Sequence, residues 1–107
     1  VGQIAASNNL HIIRGNATAK TPIDLGADFP ANTNNDAYEL TLFAPTSGGC
    51  FYRVTRLNTA FYVEGFLPST DLPLSTTLLC HQLWRTNNAT ALAVGLDICG
   101  IYIETDY

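Results

Sequence analysis

The chain has 107 residues, of which 47% are hydrophobic and 13% are charged, and its formal net charge is −4. This length fits one domain covering residues 1–107. Its five scattered cations form no basic run, which excludes an electrostatic footprint for nucleic acid. No apolar stretch approaches the ~20 residues that a membrane helix needs. We therefore expect neither nucleic acid nor a membrane as a partner.

The charged share is about half of the roughly 25% that is usual in soluble domains. The exterior must then consist of neutral polar side chains or be covered by another protein. Asn and Thr are abundant and supply the first kind of surface. The remaining apolar excess favours subunit contacts, because interface cores are depleted in charge. We expect an obligate oligomer.

The three cysteines are Cys50, Cys80 and Cys99, an odd number with wide spacing and no Cys-x-x-Cys pair. This spacing gives little support to a zinc or redox site. We expect three buried free thiols that act as small hydrophobic side chains. A single disulfide with one remaining thiol is the alternative.

The first half of the chain alternates strands with loops. Residues 10–14 (LHIIR) predict a short strand, and residues 21–35, rich in Pro, Gly, Asp and Asn, predict a long loop. Residues 38–43 (YELTLF) alternate apolar and polar side chains, which is typical of a half-buried strand. The turn-forming residues 45–49 end this strand.

A hairpin follows, with strands over residues 50–57 and 60–64 and a two-residue reversal at Asn58-Thr59. Residues 66–73, which contain Pro68 and Pro73, predict a second loop. Three more strands are predicted over 76–85, 90–97 and 98–104. Seven to eight strands at this spacing predict an all-β fold, an antiparallel, jelly-roll-like β-sandwich.

Residues with catalytic or ligand-binding chemistry are sparse. His81 follows Cys80 directly, and neighbours in a strand point to opposite faces, so they do not predict a dyad. His11 lies between apolar residues and is expected to be structural. Asp24 and Asp28 are expected to act as turn and capping residues, with calcium binding a minor alternative because no Asp-rich loop surrounds them. No nucleophile, phosphate-loop or dinucleotide motif occurs. We therefore expect no enzyme, no metal and no cofactor.

Aromatic and arginine side chains cluster along the predicted hairpin. They either divide between the core and the solvent or form an outward patch, which suits a protein interface because both residue types are enriched there. A sugar site is the less favoured reading, and the acidic last strand offers acceptors to a neighbouring subunit. The candidate interface residues are Phe51, Arg53, Arg56, Phe61, Tyr62, Phe66, Tyr102, Glu104, Asp106 and Tyr107.

Four segments of the second half of the chain are distinctive: residues 51–59 (FYRVTRLNT), the loop and strand over 67–79, residues 87–91 (NNATA) and the ending 100–107 (GIYIETDY). They give the chain a resemblance to small β modules of tailed-bacteriophage virion proteins. It covers roughly residues 50–107 and brings no catalytic residues with it. It implies a homotrimeric β-sandwich on the virion, assembled in the host cytoplasm.

Two roles on the virion follow from this resemblance. If Val1 is the processed start, the chain lacks a shaft, which favours a capsid decoration (cement) protein that binds the major capsid protein or another virion protein. The alternative is a receptor- or glycan-binding tip of a tail fibre, with a host surface glycan bound by residues 22–35 and 66–73 at one end of the sandwich. A secreted lectin-like domain of cellular origin is a third, weaker reading.

Overall fold

The structure is a computed structural model that describes residues 1–31, 33, 35–77, 82 and 97–104. It divides into two compact units, Val1–Thr77 and Leu78–Tyr107. The described residues form an all-β structure without an α-helix, confirming the predicted fold class at this level. Its strands are β1 (Gly2–Gln3), β2 (Leu10–Ile12), β3 (Ile23–Asp24), β4 (Tyr38–Phe43), β5 (Cys50–Arg56) and β6 (Phe61–Leu67), followed by a 3-10 turn at Ser69–Asp71.

The six strands form two antiparallel sheets of three strands each, both in sequence order: β1-β2-β3 and β4-β5-β6. The first sheet is small, with two residue pairs at each ladder. The second is regular along its whole length, from Tyr38 opposite Arg56 to Phe43 opposite Phe51, and from Arg56 opposite Phe61 to Cys50 opposite Leu67. It is therefore the main scaffold of the first unit.

Side chains of both sheets and their connections form one hydrophobic cluster. Strand alternation sends every second residue of β5 inward, so Tyr52 and Val54 are buried while their neighbours are not. The buried cluster consists of Ile12, Leu25, Phe29, Tyr52, Val54 and Leu67. The face of the second sheet that carries Tyr52 and Val54 is called here the inner face. The opposite face is exposed to solvent and is called the outer face.

Gly65 makes room for a core aromatic. It lies opposite Tyr52 in the β5–β6 ladder. A methyl group at position 65 would come within 2.6 Å of the Tyr52 Cε1 atom, far inside van der Waals contact. The Tyr52 ring thus occupies the space of the missing side chain, which explains a glycine in the interior of a strand.

Polar contacts tie loops to the two ends of the second sheet. Beyond the Cys50 end, the Arg14 Nε donates to Asp71 at 3.0 Å, and Asn16 donates to the Thr70 carbonyl at 2.7 Å. At the opposite end, the Arg56 Nη1 donates to the Asp28 carbonyl at 3.1 Å. Asp28 therefore lies at one end of the sheet and Thr70 and Asp71 at the other, although Arg14 also donates to the Thr21 carbonyl, just before the first loop, at 2.8 Å.

The predicted strands are confirmed over 10–12, 38–43 and 50–56, and the predicted hairpin is present. Its connection is a four-residue turn over 57–60, in which Ala60 has a φ of 59°, and its second strand runs three residues beyond Glu64 to Leu67. The predicted loop over 21–35 contains β3, which is too short to show periodicity. Pairing with Phe51 and Cys50 of β5 extends β6 over Phe66 and Leu67, so the loop predicted from residue 66 begins too early.

In the second unit, residues 97–104 form no strand, so the strand predicted over 98–104 is wrong for these residues. They are exposed, and none of the described residues pairs with them as a strand. Thr76 and Thr77 lie in a turn, not a strand. The remainder of the predicted strands 76–85 and 90–97 lies outside the described residues, apart from Gln82 and Asp97.

Candidate interaction surface

The ladder registers arrange nine side chains of the outer face in three rows across β4, β5 and β6. Each row contains one residue from each strand, because directly opposite residues of an antiparallel pair point to the same face. The rows are Phe43–Phe51–Phe66, Thr41–Arg53–Glu64 and Glu39–Thr55–Tyr62. One row is aromatic, and the other two are mostly polar.

The aromatic row is a continuous strip of three exposed rings. The Phe51 ring lies 4.7 Å from the Phe66 ring and 6.5 Å from the Phe43 ring, measured between centroids. Phe43, Phe51 and Phe66 are 61%, 49% and 48% exposed. Aromatic pairs at such distances contribute about 0.5–1.5 kcal/mol beyond their burial. The rings therefore hold one another in place while half of their surface remains available for contact.

Arg53 occupies the centre of the outer face. Its guanidinium carbon lies 4.2 Å from the centre of the Tyr62 ring, and its Nη1 lies 3.4 Å from the Glu64 Oε1. Both partners are on β6, one directly opposite Arg53 and one diagonal to it. Exposed pairs of these kinds are worth at most about 1 kcal/mol each. Their effect here is to lay the arginine flat against the sheet beside the aromatic row.

The aromatic row and the row centred on Arg53 line a shallow groove on the outer face, with a volume of about 550 Å³. Phe43, Phe51 and Phe66 form one side of the groove, and Thr41, Arg53 and Glu64 form the other. The surface thus combines an apolar strip with a positively charged hydrogen-bond donor, Arg53, and a negatively charged acceptor, Glu64. Such a combination is typical of interface centres, where aromatic residues and arginine are enriched.

The predicted interface residues divide into three groups. Phe51, Arg53, Tyr62 and Phe66 lie together on the outer face. Arg56 and Phe61 lie on the opposite face of the same hairpin, where the Arg56 guanidinium binds Asp36. In the second unit, Tyr102 is exposed and its hydroxyl donates to the Glu104 Oε2 at 3.0 Å. Asp106 and Tyr107 lie outside the described residues.

Sequence reasoning left out five of the nine side chains on the outer face: Glu39, Thr41, Phe43, Thr55 and Glu64. A signal for them was present in the alternation of the strands. Once Phe51 faces outward, antiparallel pairing places Phe43 beside it, and Arg53 requires neighbours on the same face at Thr41 and Glu64. The ladder register, which the sequence pattern does not supply, is needed to name them.

The structure assigns local structural roles to His11 and Asp24. His11 is buried, and its Nδ1 lies 2.9 Å from the Asn9 carbonyl oxygen. Asp24 accepts the Gly26 backbone N–H at 2.8 Å and the Asn9 side-chain amide at 3.0 Å, which confirms its predicted role in a turn. The Gly26 N–H, followed by the Asn9 amide, lowers the pKa of Asp24. Asp28 lies in the adjoining turn.

The cysteines differ from expectation in part. Cys50 is half-buried and Cys99 is exposed, both as free thiols, so burial of Cys99 is wrong. Its exposure follows from the absence of a strand around it in the described residues. Cys80 and His81 lie outside the described residues. Within the described part of the chain, no three His, Cys, Asp or Glu side chains converge as metal ligands.

Comparison with protein-family models, curated proteins and solved structures gives no match to this chain. No helix in the described ranges has the length and hydropathy required to cross a membrane.

Proposed function

We propose that this chain is a non-catalytic virion protein of a tailed phage, a capsid decoration protein that binds the assembled capsid as a homotrimer. The outer face is its contact surface in this proposal. The observation that carries it is the exposed strip Phe43–Phe51–Phe66 with Arg53 laid beside it. The virion setting and the trimer come from the resemblance of residues 50–107 to phage virion modules.

The composition of the outer face supports a protein partner. Large exposed apolar patches bordered by polar residues mark interaction sites in soluble proteins. Arg53 and Glu64 can form new hydrogen bonds at the edge of the strip, since both remain about half exposed in their mutual contact. A flat sheet face with half-exposed rings suits another folded protein surface better than it suits a deep small-molecule site.

A decoration protein acts through mass action. A ligand that binds the assembled shell but not the free subunits stabilises the shell by an amount that grows with the ratio of its free concentration to its Kd. This role requires a rigid contact surface and no catalytic group. The jelly-roll arrangement of seven to eight strands remains a prediction for the chain as a whole.

Co-sedimentation with capsids assembled without the protein tests this function. The purified protein is titrated onto such capsids and, separately, onto unassembled capsid protein. Saturable binding to the capsids together with raised resistance to heat is the expected result. If the protein stays in the supernatant while the capsids sediment, at micromolar concentrations of the protein, the proposal is ruled out.

A second candidate is a glycan-binding tip of a tail fibre. The groove of about 550 Å³ favours it, because the rings of Phe51 and Phe66 adjoin the polar groups of Arg53 and Glu64. A sugar could place its apolar face on the rings and its hydroxyls against the charged groups. Binding to host cells or to their surface polysaccharide, without binding to capsids, would favour this candidate.

A further inference from the structure

Strand β4 has an open edge in the part of the chain that the structure describes. It is the outermost strand of its sheet, and every one of its six residues pairs with β5 on the other side. Natural edge strands are usually protected by proline, lysine, a bulge or a covering loop. The β4 sequence contains no proline or lysine, and its ladder has no bulge. This edge is therefore suited to pairing with another strand.

The hydrogen-bond pattern shows which groups the edge presents. The Leu57 N–H donates to the Ala37 carbonyl at 2.9 Å, one pair beyond the Tyr38–Arg56 pair. Because hydrogen-bonded and non-hydrogen-bonded pairs alternate in an antiparallel ladder, Thr41 bonds toward β5. The backbone groups of Leu40 and Leu42, one residue on either side, point to the open edge.

The inner side of the same edge is apolar and incompletely covered. Leu40 and Leu42 are 42% and 60% exposed although they lie on the face that elsewhere forms the core. They line a groove of about 300 Å³ together with Ile12, Ile13 and Leu67. A strand added to β4 would continue the sheet over this groove. Its inward side chains would then extend the hydrophobic cluster.

We propose that the added strand is β4 of a second copy, joined antiparallel about a twofold axis with Thr41 opposite Thr41. In this register Leu40 of each copy faces Leu42 of the other, so four leucines meet on the inner side. Glu39 faces Phe43 and not Glu39, which avoids opposing like charges. The identical strand is thus complementary to itself in shape, hydrogen bonding and charge, as a twofold contact requires.

This contact goes beyond the proposed function and does not depend on capsid binding. The axis stands perpendicular to the sheet, so both outer faces lie on the same side of a six-stranded sheet. Two copies of the aromatic strip then form one double contact surface. If the homotrimer of the proposed function also forms this twofold contact, two trimers join through their β4 strands into a hexamer.

Cysteine cross-linking tests the register. Two strand positions that lie opposite each other as a non-hydrogen-bonded pair have Cα atoms about 4.5 Å apart, within the range of a disulfide. Thr41→Cys is made in a chain whose native cysteines are changed to serine, with Glu39→Cys in the same chain as the matched control. Both positions are exposed, on one face of one strand. Mild oxidation should give a linked dimer from Thr41→Cys and at least tenfold less from Glu39→Cys.

Equal cross-linking of the two variants, or none in a folded Thr41→Cys protein, would overturn the proposal. Sedimentation equilibrium of the unaltered chain provides a second test that does not depend on the serine changes. The expected result is an assembly with an even number of copies, and Leu42→Lys should halve that number. A monomer or a simple trimer at concentrations up to about 100 µM, a range in which weak specific contacts are occupied, contradicts it.

Discussion

Arg56 and Asp36 form a two-pronged ion pair, with Nε 2.9 Å from Oδ1 and Nη2 3.1 Å from Oδ2. The pair connects the end of β5 to the segment that precedes β4. Arg56 also donates to the Asp28 carbonyl. Its guanidinium therefore forms its hydrogen bonds within the protomer. This arginine of the hairpin lies on the inner face and does not belong to the outer face.

Replacement of Arg56 by lysine should lower the thermal unfolding midpoint. A lysine keeps the charge but cannot span both Asp36 oxygens and the Asp28 carbonyl with a planar fork. Arg53→Lys is the matched control, because Arg53 makes an exposed ion pair with Glu64 at 3.4 Å. Calorimetry should show a loss for Arg56→Lys and a change within error for Arg53→Lys. Equal midpoints would show that the fork is unimportant for stability.

The Asp71 carboxylate should make the fold sensitive to acid. Its hydrogen bond from Arg14, with a further contribution from Lys20, lowers the pKa of Asp71 below the ordinary value of 3.8. A carboxyl with a lower pKa in the folded state stabilises the fold above its unfolded pKa. This stabilisation disappears as the pH falls through the lower, folded pKa. The pKa values of Asp24 and Asp36 are lowered as well, so their contributions change in the same direction.

Urea unfolding from pH 7 to pH 2 measures this dependence. The free energy of unfolding should fall below about pH 4, where unfolded aspartate takes up protons. Asp71→Asn should reduce stability at pH 7 and flatten the fall between pH 4 and pH 2. Glu39→Gln, at an exposed position on β4, is the control variant. If Asp71→Asn leaves the pH dependence of the unfolding free energy unchanged, Asp71 does not cause the acid sensitivity.

Gly65→Ala should destabilise the protein by about 1–3 kcal/mol, the usual cost of overpacking a core. The added methyl group meets the Tyr52 ring, which is buried and cannot move away freely. Gly100→Ala is the control, because among the described residues, apart from its two chain neighbours, no atom lies within 4 Å of a methyl group at that position. Denaturant midpoints of the two variants provide the comparison, and a neutral Gly65→Ala would mean that the ring can shift without cost.

Leu67→Ala should cost about 2–5 kcal/mol, the range for removal of a buried leucine side chain. Leu67 is 6% exposed and belongs to the central cluster, whereas Leu57, in the hairpin turn, is 56% exposed. Leu57→Ala should remain within about 0.5 kcal/mol of the parent chain. If the two variants unfold at the same urea concentration, the assignment of the core is incorrect.

The alternation of Tyr38–Phe43 and Cys50–Arg56 was sufficient to predict β4 and β5 as strands. The predicted half-burial holds for β5, whereas in β4 only Tyr38 is half-buried and the other five residues are exposed. Two-residue strands such as Ile23–Asp24 contain too few positions for a period to appear. The end of β6 was missed because Phe66 and Leu67 precede Pro68 and were assigned to a loop, whereas their pairing with β5 extends the strand. Local pattern predicts elements, whereas their lengths depend on partners that are distant in sequence.

The candidate surface could be predicted only in part, because local pattern does not show which distant residues pair with a strand. The patterns of β5 and β6 place Phe51, Arg53, Tyr62 and Phe66 in one hairpin, but the face of each depends on register. Arg56 was assigned to the surface because its partner, Asp36, is 20 residues away and no local pattern links the two.

The most direct test of the outer face compares Phe51→Ala with Phe61→Ala in capsid co-sedimentation. The two phenylalanines are equally exposed, at 49%, and lie on opposite faces of one hairpin. Loss of an aromatic residue from an interface centre typically costs about 2 kcal/mol or more, which corresponds to a loss of affinity of about thirtyfold or more. We expect this loss for Phe51→Ala and near-parental binding for Phe61→Ala. Equal binding by the two variants, or a larger loss for Phe61→Ala, would contradict the assignment of the outer face.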